Sequence, residues 1–276
     1  MSASFQTSTV ASDDFSDEYQ IYDIEYSWTP TRVTTALEIQ KTLRALGDAE
    51  YAAHSQRFFK TGKGEYGEGD RFLGIRVPMI RQQVRAFRGL PIAQTLKLLR
   101  SSWHEERLFA LLMLVDGFNR GDKNDQREIY RRYIDNTQYI NNWDLVDLSA
   151  HHIVGGWLAD RSRRPLYPLA ASKSLWERRI AIIATFYLIK NDDFDDALEI
   201  ARRLLHDNHD LIHKAVGWML REIGKRDVNI EKVFLDEHAA TMPRTMLRYA
   251  IERLLDGDRR KYMNMKTTGQ HRMPRL

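Results

Sequence analysis

Trp143 and Asp147 stand four residues apart in NNWDLVD. On a helix that spacing puts an indole and a carboxylate on one face. Asn141 or Asn142, just ahead, supplies a cap for such a helix. Lys214, Trp218 and Arg221 fall at i, i+4 and i+7, again on one face, and Arg178 and Arg179 open another apolar run. Two indoles, several cations and a single carboxylate suit nucleic acid that carries a cationic lesion. Lys and Arg neutralise phosphates. Trp offers a π-face to sugars and bases and attracts cations. The carboxylate repels phosphate, so its presence needs a reason, and stabilising positive charge that develops during a reaction is one. Each residue alone also has a plainer reading. A Trp on an amphipathic helix packs in the core, Asp147 caps a helix or pairs with an Arg, and an Arg at the head of a repeat joins an ion ladder between repeats.

From Thr35 onward the sequence has the character of helices joined by short loops, with Gly and Pro sparse. Capping boxes are expected at Thr35-x-x-Glu38, Ser102-x-x-Glu105 and Ser174-x-x-Glu177. Val77-Pro78 and Met242-Pro243 put Pro at the start of two more helices. No series of alternating strands is visible, so the fold class is all-α. Arg107, Trp143, Arg179, Lys214 and Arg248 sit at similar places at the head of apolar runs, 36, 36, 35 and 34 residues apart. A regular period of this size fits a helix pair per repeat and predicts a HEAT-like helical-repeat solenoid. Equivalent helices then line one concave basic groove, with these five residues on its wall.

Charge is uneven along the chain. Residues 1–30 carry six acids and no Lys or Arg, and residues 259–276 carry six Lys and Arg and no acid, against a net charge of +4 for the whole. The expected organisation is an acidic, mostly disordered leader over 1–30, the solenoid over 31–258 and a basic tail over 259–276. The leader is a candidate DNA mimic that folds back on the groove. With no Cys there is no disulfide framework, thiolate metal site or Cys nucleophile. The longest apolar stretches, Phe109–Val115 and Ile180–Ile189, fall short of the roughly 20 residues that span a bilayer. No secretory signal is visible, and the expected compartment is the cytoplasm.

Three motifs do not carry a site. Gly62-Lys-Gly-Glu-Tyr-Gly67 fits G-x-G-x-x-G, but no strand precedes it, and Glu65, Glu68 and Asp70 repel a pyrophosphate. His209 and His213 have helical metal spacing without the Glu of H-E-x-x-H or a clear third ligand. His151 and His152 point two ways around a helix. No metal or cofactor is expected.

The segments GKGEYGEGDRFLGIRVPMIR, NNWDLVD, LWERRIAI and HKAVGWMLREIGK, in that order, resemble the AlkD-type DNA alkylation repair family over about residues 36 to 262. The resemblance implies a stack of HEAT-like repeats around duplex DNA and a monofunctional glycosylase that removes N3- and N7-alkylated purines. It implies that the damaged base stays stacked rather than flipping into a pocket. By motif, Trp143 and Asp147 match the family's Trp and catalytic Asp, and Trp218 and Arg221 match its G-W-x-L-R-E. Arg179 matches the Arg before A-I. With Lys214, Arg178, Arg107 and Arg248, the arginines Arg179 and Arg221 are expected to hold phosphates. Tyr66 stands for an aromatic near the lesion, in a loop that departs from the family pattern by its longer GEYGEGD form. The expected partner is duplex DNA with alkylated bases, bound by a monomer without metal, cofactor or membrane. Two rivals share part of this pattern: a non-catalytic solenoid that binds branched or damaged DNA, and a protein-interaction scaffold with apolar anchors on its concave face.

Overall fold

The structure is a computed structural model that describes residues 34–265. The acidic leader and most of the basic tail lie outside the described residues. Among those described the fold is all-α, and the sole β contact is an isolated bridge between Arg71 and Trp103.

The helices begin where local chemistry lets them. In α1 (Ala36–Ala45) Thr35 and Glu38 form the reciprocal capping box. Asp48 caps α2 (Ala49–Phe58), and α3 (Val77–Ala86) has Pro78 in its first turn. Then come α4 (Ile92–Leu99), α5 (His104–Arg120) and α6 (Lys123–Ile134). The box expected at Ser102 does not form, because Trp103 is the N-cap of α5 and makes no side-chain cap. Glu105 is drawn away to a stronger demand. Its buried carboxylate accepts from the backbone N–H groups of Leu73, Gly74 and Ile75 at 2.8, 2.8 and 3.2 Å. Those amides run through a left-handed turn at Gly74, φ +81°, where a Cβ would lie 2.0 Å from the Asp48 carbonyl oxygen. Asn142 caps α7 (Trp143–Asp147) by accepting from Trp143 N–H at 2.8 Å.

A π-turn over His151–Gly155 carries the chain into the short α8 (Gly156–Leu158), and then come α9 (Leu166–Ala170) and α10 (Leu175–Ile189). Ser174 caps α10, but the box is one-sided. The Glu177 carboxylate accepts from Thr137 and Ser172 hydroxyls instead of returning to the cap. The last helices are α11 (Asp195–Leu204), α12 (Asp210–Arg226), α13 (Val228–His238), α14 (Arg244–Ala250) and α15 (Asp256–Asn264). Pro243 is the N-cap of α14, one position before the expected first turn. The expected boundary at 258/259 falls inside α15, which runs through it.

The repeat period is the spacing of inner helices. Arg107, Trp143, Arg179, Lys214 and Arg248 all lie in the first five residues of α5, α7, α10, α12 and α14. These helices stack in chain order: α5 packs on α7 and the π-turn, both pack on α10, α10 on α12 and α12 on α14. Gly217 sets the last spacing, since a Cβ there would lie 2.4 Å from the Met246 carbonyl oxygen and 2.5 Å from Tyr249 Cβ. Ile180–Ala184 and Phe109–Leu111 are fully buried at the centre of this stack.

Behind α7 lies a buried ionic network. His104, 2% exposed, has Nδ1 3.0 Å from Asp70 Oδ2 and Nε2 2.8 Å from Asp144 Oδ2. Arg107 Nη2 donates to Asp70 Oδ1 at 2.7 Å. Both ring nitrogens face carboxylates, so both carry protons, and two positive groups balance two negative ones. Burial pushes the imidazole down, but Asp144 and then Asp70 outweigh it and raise His104 to about 9. The sign of the linkage follows. A folded pKa above the ordinary 6.5 stabilises the protein fully below about pH 6.5, and the contribution is lost as pH rises towards 9. The thermal midpoint should therefore fall between pH 6.5 and 9, with a loss of roughly 3 kcal/mol from this group. His104→Gln should be less stable at pH 6.5 and show a flatter profile across that window, measured by calorimetry.

Candidate active site

One cleft of about 790 Å³ opens at the N-terminal ends of the inner helices. Trp143 and Asp147 of α7, Arg179 of α10, and Lys214, Trp218 and Arg221 of α12 line it. Tyr66, from the loop between α2 and α3, joins them. Seven of the ten expected site residues are thus brought together from segments up to 155 positions apart.

Asp147 does not face the cleft as a free carboxylate. Arg179 Nε donates to its Oδ1 at 2.9 Å and Arg179 Nη2 to its Oδ2 at 2.7 Å, while Nη1 donates to the Leu211 carbonyl. Arg179 is 5% exposed, and its guanidinium spends its fork on protein groups. Arg179 therefore holds a carboxylate, where the sequence pattern has it holding phosphate. Burial raises the Asp147 pKa, Arg179 opposes the rise, Asp144 reinforces it, and the carboxyl ends above its usual range. Each oxygen keeps one lone-pair direction not used by Arg179.

The aromatics are fixed from behind. Trp143 stacks on Phe59 with ring centroids 5.2 Å apart and meets Phe58 edge-on at 6.0 Å. Trp218 lies 5.7 Å from Phe186, and its indole N–H donates to Glu222 Oε1 at 3.0 Å. Both indoles remain partly exposed in the cleft. Burial pushes the Tyr66 phenol up, against Trp143 and the Lys214 ammonium.

The cations of the wall are mostly paired. Lys214 Nζ sits 2.8 Å from Asp210, and Arg221 pairs with Glu252. Arg107 and Arg178 do not reach the cleft. Arg107 is buried on Asp70, and Arg178 is held by Asp207 and the carbonyls of Ser172 and Lys173. The physical reason is common to both, because a guanidinium withdrawn from water requires a carboxylate or carbonyl at hand. Arg248 is exposed but lines a different cavity, beside α15.

Sequence reasoning missed Phe58, Lys60 and Tyr249, all on the cleft. Phe58, 57% exposed at the end of α2, left one signal: a Phe-Phe-Lys run just ahead of a Gly-rich loop. That loop is closed on itself, with Gly62 and Gly64 N–H groups donating to Glu65 and Glu68. His209 and His213 serve the start of α12. His209 Nδ1 accepts from Leu211 N–H, and His213 Nε2 lies 2.5 Å from the Asp207 carbonyl oxygen. Among the described residues no group of three or more His, Asp or Glu is placed to hold a metal ion.

The sequence model of a family described as DNA alkylation repair enzyme matches residues 39–254. No curated protein matches. A solved structure described as a predicted DNA alkylation repair enzyme from Enterococcus faecalis is similar at 17% identity and a TM-score of 0.57, over 76% of this chain and 97% of that one. Another, smu.31 from Streptococcus mutans UA159, aligns over 79% of this chain and 96% of its own at 14% identity and a TM-score of 0.47. The likeness to the Enterococcus faecalis structure, at 17% identity, concerns the fold.

The bidentate pair gives a direct expectation for stability. Arg179→Ala leaves Asp147 buried without its partner and should lower the unfolding free energy by roughly 3 kcal/mol. Arg248→Ala, at an exposed site, should change it by no more than about 0.5 kcal/mol. Urea denaturation of the two variants makes the comparison.

Proposed function

This chain belongs to the DNA alkylation repair enzyme family, and from that premise we propose that it is a DNA glycosylase releasing N3- and N7-alkylated purines from duplex DNA. The observation that carries the reading is the Asp147 carboxylate, held by both oxygens in a cleft that two indoles share.

The chemistry asks little of the protein beyond charge and position. A purine alkylated at N3 or N7 is already a cation, so no strong general acid is needed for it to leave. The C1′–N bond breaks with its electron pair passing to the base, which departs neutral. Positive charge moves to the sugar, as in glycoside hydrolysis. Asp147 faces that charge and accepts the proton of the water that adds to C1′. Trp143 and Trp218 pack on the deoxyribose and favour its cationic form. Arg179 acts through Asp147: by fixing both oxygens it removes the reorganisation that a mobile carboxylate requires as charge develops. Lys214 and Arg221 sit in partly exposed pairs, which are worth little in water and exchange for phosphate at small cost. The base remains stacked, in keeping with the family resemblance, and no metal or cofactor enters the scheme.

The test is incubation with methylated duplex DNA and measurement of free 3-methyladenine and 7-methylguanine, with DNA affinity measured alongside. Wild-type protein should release base. Asp147→Asn should slow release by about 100-fold or more while DNA affinity is retained. Because burial raises the Asp147 carboxyl, excision should fall on the acid side at a pH above the ordinary carboxylate range. Affinity without base release by the wild type would instead favour the non-catalytic DNA-binding reading. An unaltered rate in Asp147→Asn would remove that residue from the chemistry.

A further inference from the structure

A smaller cavity, of about 200 Å³, lies beside the cleft and shares Phe58 with it. Its rim is one face of α2, where Tyr51, His54 and Phe58 fall at i, i+3 and i+7. Their rings are nearly parallel. Tyr51 and His54 differ by 19° with centroids 6.1 Å apart, and His54 and Phe58 by 13° at 6.3 Å. His54 and Phe58 are exposed. The opposite wall is Phe72 and the His104 imidazole, 4.4 Å apart at 22°, with Phe59 stacked 4.9 Å from Phe72 at 17°. Phe59 also stacks on Trp143, so one pile of rings joins this cavity to the cleft.

The polar groups lining it are few and buried. Ser55, 6% exposed, is the buried residue of α2. Asp144 Oδ2 lies 2.8 Å from His104 Nε2, and Asp144 Oδ1 accepts from the Leu145 N–H at 2.9 Å. A carboxylate oxygen has two lone pairs, so each keeps one. The Glu105 carboxylate is already taken by three backbone amides. His104 and Arg107 balance Asp70 and Asp144, so this wall has no net charge with which to draw an ion. Size narrows the occupant further. A dry cavity of about 150 Å³ takes benzene, and sites for drug-sized ligands begin near roughly 300 Å³. A volume between the two, lined by rings, suits one flat, neutral ring system with an N–H donor for Asp144.

We infer that the cavity between α2 and the Phe72–His104 wall binds a free purine base, stacked among its rings with an exocyclic amino group donating to Asp144. The inference rests on the glycosylase reading, which supplies such a base at the neighbouring cleft, and it adds the step that follows bond cleavage. A purine cut loose while stacked still lies between its neighbours and has to leave the duplex. A ring-lined cavity beside the cleft offers it stacking partners in exchange for those it gives up. Charge sets the order of events. The base departs neutral, so a site with no net charge accepts the product and gives no advantage to the cationic base still joined to its sugar.

The experiment measures binding of free 7-methylguanine to the full chain by equilibrium dialysis, without DNA. Release of base from methylated duplex is measured separately on the wild type. Wild-type protein should bind the free base. His54→Ala removes an exposed ring from the rim, and Ser55→Leu fills the cavity from α2. Each should weaken binding about ten-fold or more, the factor that stacking on one ring supplies. Circular dichroism checks that Ser55→Leu is folded, and His54→Ala, at an exposed position, carries the test if it is not. The ring 7-methylhypoxanthine, which lacks the exocyclic amino group, should bind the wild type about ten-fold more weakly, as expected for a lost hydrogen bond to a charged acceptor. No binding by the wild type, or equal binding by the wild type and both variants, overturns the site while leaving the glycosylase reading intact. Equal binding of 7-methylhypoxanthine overturns the contact with Asp144. Binding of the free base without release from duplex supports the cavity and overturns the glycosylase reading.

Discussion

The organisation of this protein depends on taking a guanidinium and a carboxylate out of water together. Neither Arg179 nor Asp147 is tolerable alone at its depth, and the pair joins α10 to α7 across a repeat boundary. Arg107 and Asp70 do the same one repeat earlier, with His104 and Asp144 extending the set. Such pairs add little net stability over a hydrophobic contact. What they supply is register, because a helix that slides by one residue leaves two charges stranded. The carboxylate proposed for catalysis is thus also a structural fastener, and its position is set by the same contact that lowers its effective charge.

That constraint explains the electrostatic character of the cleft. Its cations do not form an open positive wall. Lys214, Arg179 and Arg221 are each met by a carboxylate, and Glu65 and Asp210 also line it. Attraction for a polyanion would then come from Lys60, which is exposed on the cleft, and from exchange of the more exposed pairs. What such a cleft offers a ligand is shape and aromatic surface more than net positive charge.

Much of the fold was legible because the signals are local or periodic. The 34–36 residue spacing of repeat heads reports the inner helices, and the i, i+4, i+7 set on α12 reports a shared face. The Trp143–Asp147 pair was legible for the same reason. Partnership was not. Arg107, Arg179 and Arg248 look alike in sequence, each basic at the head of an apolar run, yet one is buried, one grips Asp147 and one is exposed. What separates them is a carboxylate 32 to 37 residues away, or its absence, and no local pattern encodes that. Glu105 shows the same limit. Its spacing from Ser102 suits a cap, but three buried amides on another segment compete for it and win. Phe58 and Tyr249 reach the cleft through the packing of their helices, a tertiary outcome.

The last described helix has a consequence for the surface at its end of the stack. A stack of helix pairs has two ends, and a bare end shows a neighbouring unit the same apolar face that joins units within one chain. Here α15 folds over the final pair, with Tyr262 fully buried and Ile251 and Leu254 beneath it nearly so. Its outward side carries Asp256, Arg259 and Arg260. It therefore presents a polar face where the helix pair beneath it would otherwise show an apolar one.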